Sequence, residues 1–549
     1  MTNGLLKKDS TFTGSYRRIA EATAGYQEWR YIVLLLTVLA VMFLGNLVFL
    51  DLTGGDETRV SGISRMMYES GDFFLPRLNG VKFLEYPPLF YQLQCISFHY
   101  LGFSALAAKL PAALAAAFGA CLVYFLVRSM KYSPLTGFLS GLILGSSAQY
   151  FGNAVTAMVD SLLAMFCIMA WCGFYSWGVK EQKKRRVLSF VVLVVGLSGG
   201  IMTKNLAGLM YPLSGIGVFM VADDLIQRRF KPERYVMLFG AVLLALVIPA
   251  AYAWNLYDEH GIEAVKTMFV YNNFGRFGGA HPDHSEPFYY YLLKLPGLFQ
   301  PWLVFLLVAL VFHFRRVVKK HSVNSLYSLA ILLVPLLLLT LSSAKRQVYL
   351  LPLAAPAAIL VGTMLGMFVE GKIIKFSERV DDLIIKISFY TVFALGIITP
   401  VVFIAVGIHL GLDGVSRYWA AVVSLLLMLG VWRLAKPRCE EKLLVYLALI
   451  FALIYPNVAG IALAYKAEGE SFRPMFEYAA DSGDKVVLLS PRESVSGAAC
   501  FYLGRETEVV NSFDEVRLGE AVISCRVRPD ADDFEVKEFC EKYYVGIKK

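Results

Sequence analysis

Long apolar runs separated by short polar stretches make up most of this chain of 549 residues. A run of roughly 17 to 25 apolar residues is long enough for a helix to cross the hydrocarbon core of a bilayer, and about thirteen such runs are present. They lie near residues 31–51, 105–127, 134–151, 158–178, 187–203, 206–222, 235–254, 293–313, 326–342, 347–369, 386–409, 416–434 and 443–465. The pattern predicts an all-α polytopic membrane protein, with residues 1–466 as its transmembrane domain.

The pattern changes after the last apolar run. Short β-like runs at 485–490 and 521–527 alternate with amphipathic stretches, as in a small α/β domain of roughly 80 residues. We therefore expect residues 467–549 to form a separate C-terminal domain. Its cysteines, Cys500, Cys525 and Cys540, permit one disulfide at most among themselves, and their spacing does not say which two would pair.

The basic residues indicate how the chain is oriented. The composition is 57% hydrophobic and 17% charged, with a formal net charge of +9. Lysine and arginine concentrate in short loops between apolar runs, as the positive-inside rule describes, rather than on one face that would suit a nucleic acid. We therefore expect a protein of the cell (inner) membrane whose N-terminus lies in the cytoplasm. The loops 52–104 and 255–292 and the C-terminal domain are then extracytoplasmic, which is periplasmic in a cell with two membranes.

Acidic residues on the predicted outer side are the first candidates for chemistry. Asp56 and Glu57 follow the first span directly, and two adjacent carboxylates can act as a general base, hold a cation or simply form a charged pair at the interface. Asp160 interrupts an apolar segment at the same predicted level, where an acidic group is costly unless it has a partner or a use. The sequence therefore predicts three carboxylates on one side of the membrane.

Cations are predicted at the same level, where positive-inside statistics would place few of them. They are Arg59, Arg65, Lys204, Arg276, Lys345 and Arg346. Phosphate is a natural counterpart, because arginine offers it a bidentate fork and lysine a point charge. The alternative is that these cations pair with the three carboxylates or with lipid headgroups. Glu85 and His284 are candidate ligands for a divalent metal ion, although two ligands so far apart are weak evidence and the pattern favours a loop histidine with other partners.

The order of the motifs resembles that of a known family. It comprises DExR after the first span, SGDFFLPRLNGVKFLEYPPLFY, an acidic residue before the fourth span, TK before the sixth, RF followed by HxxPFYYY and PW, and SxxKRxxYLLP. This set, which covers nearly the whole chain, is similar to the bacterial aminoarabinose transferase and protein O-mannosyltransferase superfamily, glycosyltransferase family 39 of the GT-C fold.

The resemblance implies an integral membrane glycosyltransferase that moves a sugar from a polyprenyl-phosphate donor to an extracytoplasmic acceptor: lipid A, a glycolipid, a polysaccharide or a protein. It implies that Asp56 is the catalytic carboxylate, with Glu57 and Asp160 as further acidic residues of the site. By the same resemblance a divalent metal ion would lie at Glu85 and His284. The implied contacts to the carrier phosphate are Arg59, Lys204, Arg276, Lys345, Arg346 and Tyr349.

Two departures from the family pattern leave the sugar and the acceptor open. Tyr86 stands where the aminoarabinose enzymes typically have the lysine of EKPPL, and Asn205 follows Lys204 where their glycine of TKG would be. A different class, a membrane transporter of an anionic or lipid-linked substrate, is the alternative, and a non-catalytic membrane scaffold is a third. Transporters usually carry internal repeats and place charges near the midplane, whereas the charges here cluster at one predicted face.

Overall fold

The computed structural model describes residues 9–48, 50–179, 186–272, 286–370, 469–540 and 542–549, with scattered helical positions between 394 and 408. The helices are α1 (Asp9–Leu47), α2 (Asp56–Ser70), α3 (Leu89–Leu101), α4 (Ala105–Ser129), α5 (Pro134–Ser146), α6 (Ala148–Ala154), α7 (Asp160–Gly178), α8 (Arg186–Lys204), α9 (Ala207–Gln227), α10 (Pro232–Ala245), α11 (Val247–Lys266), α12 (Tyr290–Leu298), α13 (Leu303–Lys320), α14 (Val323–Leu341), α15 (Ala354–Val369), α16 (Arg473–Ser482) and α17 (Glu493–Leu503). The strands are β1 (Arg77–Leu78), β2 (Val81–Lys82), β3 (Val486–Leu489), β4 (Val509–Val510), β5 (Ala521–Cys525), β6 (Phe534–Phe539) and β7 (Tyr543–Lys548).

The described part of the chain contains 8 helices long and apolar enough to cross a membrane, or up to 9 if α12 and α13 count as one span. This confirms a polytopic helical membrane protein. The predicted spans at 386–409, 416–434 and 443–465 lie outside the described residues, so the number thirteen stays a prediction.

Two predicted spans are not single helices. The apolar run 134–151 is divided between α5 and α6, because Ser147 has extended backbone angles. The run 293–313 is divided between α12 and α13, which meet at 114°. Pro301 lies between those two helices, and a proline has no amide hydrogen for a continuous helical ladder. Hydrophobicity alone predicts the apolar length of a segment but not such a bend.

Large side chains fill the membrane core, and two of its buried tyrosines donate to backbone carbonyls of neighbouring helices. Trp171 and Tyr327 are fully buried, and the Tyr327 hydroxyl donates to the backbone carbonyl of Trp171 at 2.7 Å. Tyr150 does the same toward the carbonyl of Ala116 at 2.9 Å. A hydroxyl left without a partner in an apolar interior would cost free energy, so these bonds fix how α4, α6, α7 and α14 pack together.

The predicted loop 52–104 is largely helical. It holds α2, the β1–β2 hairpin and α3 between the first two spans. Helix α2 begins at Asp56 after Gly55, whose φ of 112° favours glycine, and it ends at Gly71 in the left-handed region. One side of α2 is buried through Val60, Ile63 and Met67 against α3 and α4. The first two residues of α2 are therefore held on a fixed element rather than on a free loop.

The C-terminal residues form a small α/β unit, as predicted. Its five strands have the order β4-β3-β5-β7-β6, with β3 parallel to β4 and β5 and with β7 antiparallel to β5 and β6. Helices α16 and α17 pack on the sheet through buried residues that include Met475 and Ala498. Cys500, Cys525 and Cys540 are free thiols. We call residues 469–549 the C-terminal unit.

Candidate active site

Asp56, the first residue of α2, is held between two arginines. Nη2 of Arg59, one turn along the same helix, lies 3.0 Å from Asp56 Oδ1. Nη2 of Arg346 donates to Asp56 Oδ2 at 2.8 Å. The carboxylate therefore has a cation on each oxygen, at the N-terminal end of a helix where negative charge is also favoured by the helix dipole.

These cations determine the charge of Asp56. Burial alone raises the pKa of this carboxyl, but Arg59, Arg346 and Lys204 together outweigh burial, so the pKa lies below its ordinary value of 3.8. The side chain is therefore ionised at neutral pH. An ionised carboxylate next to a cavity can orient an acceptor hydroxyl and take its proton.

Replacing Arg346 with glutamine should therefore change how activity depends on pH. The substitution removes the hydrogen bond and the positive charge from Asp56 while leaving its burial, so the pKa of Asp56 rises. Activity that needs the carboxylate is present above its pKa and is lost as pH falls through it, so the acid limb of the pH–rate profile should move to higher pH. A profile of sugar-donor turnover checks this, and an unchanged acid limb would contradict the assignment of that limb to Asp56.

Glu57 points away from Asp56 and into the protein. Its side chain is buried, and its Oε2 accepts from the amide and the hydroxyl of Thr53 at 2.8 and 2.6 Å. Its Oε1 accepts from the amide of Ala157 at 2.6 Å and lies 3.6 Å from Nζ of Lys109. Glu57 thus ties the end of the first span to α4 and to the turn that precedes Asp160. Its catalytic role stays a prediction.

We expect Glu57→Gln to destabilise the protein by about 2 kcal/mol, because a carboxamide cannot replace this carboxylate. Donors face both oxygens, so either orientation of the amide places its NH₂ group against another donor. The measurement is the thermal unfolding transition in detergent. Glu535→Gln, on an exposed face of β6, is the matched control, and equal transitions for the two variants would rule out this account of Glu57.

A partly open cavity brings several of the predicted residues together. Glu85, Asp160, Lys204 and Tyr349 line it, and so does Tyr86. The Lys204 ammonium pairs with Asp160 Oδ1 at 2.5 Å and lies 5.4 Å from the centre of the Tyr86 ring and 5.1 Å from that of Tyr349. Most of the remaining lining is apolar, so the cavity combines a cation with walls that suit a hydrocarbon or the face of a sugar.

Arg59 connects Asp56 with this cavity. Its Nη1 lies 3.4 Å from Glu85, which lines the cavity, while its Nη2 faces Asp56. Burial alone lowers the pKa of Arg59, but Glu85, Asp56 and Glu493 together outweigh burial, so the pKa lies above its ordinary value and Arg59 stays charged. Asp56, Arg59, Glu85 and Arg346 thus form one cluster at the edge of the cavity. We call it the Asp56 cluster.

Two other predicted cations contact backbone carbonyls outside the Asp56 cluster, and a third is not among the described residues. Nζ of Lys345 donates to the backbone carbonyls of Glu286 and Ser342 at 2.9 and 2.6 Å. Arg65 donates to the carbonyl of Phe501 in the C-terminal unit. Arg276 lies outside the described residues. The predicted roles of Lys345 and Arg276 in phosphate binding stay predictions.

The predicted metal site is only half described. Glu85 contacts Arg59, and His284 lies outside the described residues. Within the part of the chain that the structure covers, no group of three or more His, Cys, Asp or Glu side chains could hold a metal ion. An arginine lies against the one described ligand, and the second predicted ligand is outside the described residues. A divalent ion therefore stays a prediction and enters no step below.

Two residues that contact the predicted site residues were not themselves predicted from the sequence. Lys109, nearly fully buried, contacts Glu57 and donates to the carbonyl of Asp51 at 2.8 Å. A lysine inside an apolar run is a signal that could have identified it. Glu493, in the C-terminal unit, lies 2.6 Å from Arg59 Nη1. Nothing in its local sequence separates it from other surface glutamates.

Comparisons with known proteins agree with the fold. Residues 29–265 match the family model described as dolichyl-phosphate-mannose-protein mannosyltransferase. The chain is 27% identical over 421 residues to an undecaprenyl phosphate-alpha-4-amino-4-deoxy-L-arabinose arabinosyl transferase of Erwinia tasmaniensis, covering 74% of each chain. It is 29% identical over 308 residues to the protein of the same name from Edwardsiella ictaluri, of which it spans 54%.

The architecture also has a close counterpart among solved structures. ArnT from Cupriavidus metallidurans, solved bound to undecaprenyl phosphate, superposes with a TM-score of 0.72. The superposition covers 94% of this chain and 98% of that one, at 18% sequence identity. At this identity the likeness shows a shared fold, and it includes the C-terminal unit because nearly the whole of both chains is covered.

Proposed function

We propose that this chain transfers a sugar from a polyprenyl-phosphate donor. The premise is that it belongs to the GT-C glycosyltransferases related to the aminoarabinose and protein mannosyl transferases. The acceptor is a lipid, glycan or protein group on the extracytoplasmic side of the membrane. The observation that carries the proposal is the Asp56 cluster, an ionised carboxylate between two arginines beside a largely apolar cavity. A base and phosphate-binding cations are what such a donor requires.

The reaction follows from the charges. Asp56 takes the proton of an acceptor hydroxyl as the hydroxyl oxygen attacks the anomeric carbon of the donor. The bond between that carbon and the carrier phosphate oxygen breaks, and its electron pair stays with the phosphate. Arg59, Lys204 and Arg346 stabilise the charge that develops on the leaving phosphate. Attack opposite the leaving group inverts the anomeric configuration.

The orientation in the membrane is part of the proposal. The multi-pass chain places the Asp56 cluster at one end of the helices, near Lys204 at the end of α8 and Asp160 at the start of α7. Basic residues lie at the other end, in the turn 228–231 between α9 and α10 and in the last turn of α13. Because basic loops mark the cytoplasmic side, the Asp56 cluster and the C-terminal unit are extracytoplasmic.

Reconstituted protein tests the proposal. Purified protein is incubated in vesicles with a panel of polyprenyl-phosphate sugars that carry a hexose, an aminopentose or a uronic acid. A mixture of envelope lipids and glycans serves as acceptor, and mass spectrometry follows free polyprenyl phosphate. Release that depends on both donor and acceptor supports the proposal and names the sugar. Movement of intact donor between leaflets without release would instead support a transporter.

A further inference from the structure

Helix α17 of the C-terminal unit lies in direct backbone contact with α2. A Cβ atom at Gly62 would lie 2.1 Å from the carbonyl oxygen of Gly497, and a Cβ at Gly497 would lie 2.3 Å from Cα of Arg59. Neither position has room for a side chain, because in each case the obstacle is backbone. The two glycines allow the helices to approach closely, at the same turn of α2 that carries Arg59.

Hydrogen bonds fix α17 along and around α2. The hydroxyl of Thr58 donates to the carbonyl of Ser494 at 2.9 Å. Asn79, in the β1–β2 turn, donates to the carbonyl of Thr507 at 2.8 Å and accepts from its amide at 2.7 Å. With the bond from Arg65 to Phe501 described above, contacts run along the full length of α17. The C-terminal unit is therefore docked in one register.

Glu493, the first residue of α17, reaches Arg59 from this docked position. Its Oε2 accepts from Arg59 Nη1 at 2.6 Å, and Glu85 lies 3.4 Å from the same nitrogen. Both carboxylates hold one arm of the guanidinium, which leaves Nη2 directed at Asp56. The Arg59 side chain is only 11% exposed, whereas Glu493 is 61% exposed. The arginine therefore belongs to the buried cluster, and the glutamate holds it from the surface.

We infer that the C-terminal unit is a working part of the active site, in which Glu493 is a positioning residue that directs Arg59 onto Asp56. The inference goes beyond the proposed function, on which it rests, because it gives the C-terminal unit a role in the reaction itself. It follows that one methyl group added at the contact between α2 and α17, as in Gly497→Ala, should slow the reaction at Asp56.

The test compares variants of the full-length protein. Glu493→Ala should lower kcat/KM for the sugar donor about tenfold, and Glu493→Gln, which can still accept from Arg59, should lower it less. Gly497→Ala should lower it about a hundredfold, since it displaces the backbone that carries Arg59 by about an ångström. Glu535→Gln and Gly469→Ala are the matched controls; a Cβ at Gly469 meets nothing within 4 Å.

The pH profile separates positioning from simple charge removal. The charged groups facing Asp56 are Arg59 on its own helix, Arg346 and Lys204, with Glu85 and Glu493 acting through Arg59. If Glu493 positions Arg59, Glu493→Ala loosens Arg59 and moves the acid limb to higher pH. Removal of a negative charge alone would move it to lower pH. An acid limb at lower pH in Glu493→Ala, or wild-type rates for both Glu493→Ala and Gly497→Ala, would overturn the inference.

A second readout does not depend on activity. Amide hydrogen exchange at residues 56–62 should be faster in Glu493→Ala and Gly497→Ala than in wild type, and unchanged in the two controls. If wild-type protein releases no carrier from any donor, the proposed function fails, and this exchange decides the inference alone. Unchanged exchange in both variants would then overturn it.

Discussion

Asp56→Asn should lower donor turnover about a thousandfold, the scale of a lost general base. Asparagine has nearly the same shape, so it fits between Arg59 and Arg346, but it cannot take the proton of the acceptor. It also removes the negative charge that these two arginines share, which leaves both free to hold the carrier phosphate. We therefore expect a large fall in kcat with little loss of donor binding, measured as carrier release and as binding of the labelled donor.

The control for this variant is Asp258→Asn, a substitution of the same type on an exposed position of α11. It should turn over donor at the wild-type rate. If Asp56→Asn also did so, Asp56 would not be the base, and the reaction would have to be assigned to another carboxylate of the site, with Asp160 the first to examine.

Lys204→Met should lower the free energy of unfolding by about 3–5 kcal/mol, because it removes one partner of a buried ion pair. Lys204 and Asp160 are both almost fully buried, and Asp160 Oδ2 has no hydrogen-bond partner among the residues that the structure describes. The variant therefore leaves an uncompensated carboxylate in an apolar setting. The measurement is the unfolding transition in detergent, with donor binding measured on the same sample.

The double variant Asp160→Asn/Lys204→Met distinguishes the cost of a stranded charge from the loss of packing. It should recover part of the stability that Lys204→Met loses, because no buried charge remains. Lys266→Met breaks an exposed pair with Glu263 and should change stability little, since exposed ion pairs contribute little. No recovery in the double variant would mean that Lys204 acts through its contacts with the rings of Tyr86 and Tyr349.

The comparison of Asp56 with Glu57 shows how far the sequence could go. Both were predicted as members of one acidic site because they are adjacent and follow the first span. Successive positions on a helix point about 100° apart, so the start of α2 at Asp56 directs one carboxylate to Arg59 and Arg346 and the other into the protein. The sequence predicted the kinds of residue in the site, but which carboxylate met the two arginines depended on where the helix began.

The sequence by itself determined the membrane class, most of the described spans, the C-terminal α/β unit and the kinds of charge in the site, because apolar length and strand periodicity are local properties. Only the tertiary structure decided the partners. Arg346 reaches Asp56 from 290 positions away, and Glu493 reaches Arg59 from 434 away. Such pairs form because helix packing and the contact between Gly62 and Gly497 bring distant segments together, and no local pattern records which surfaces will meet.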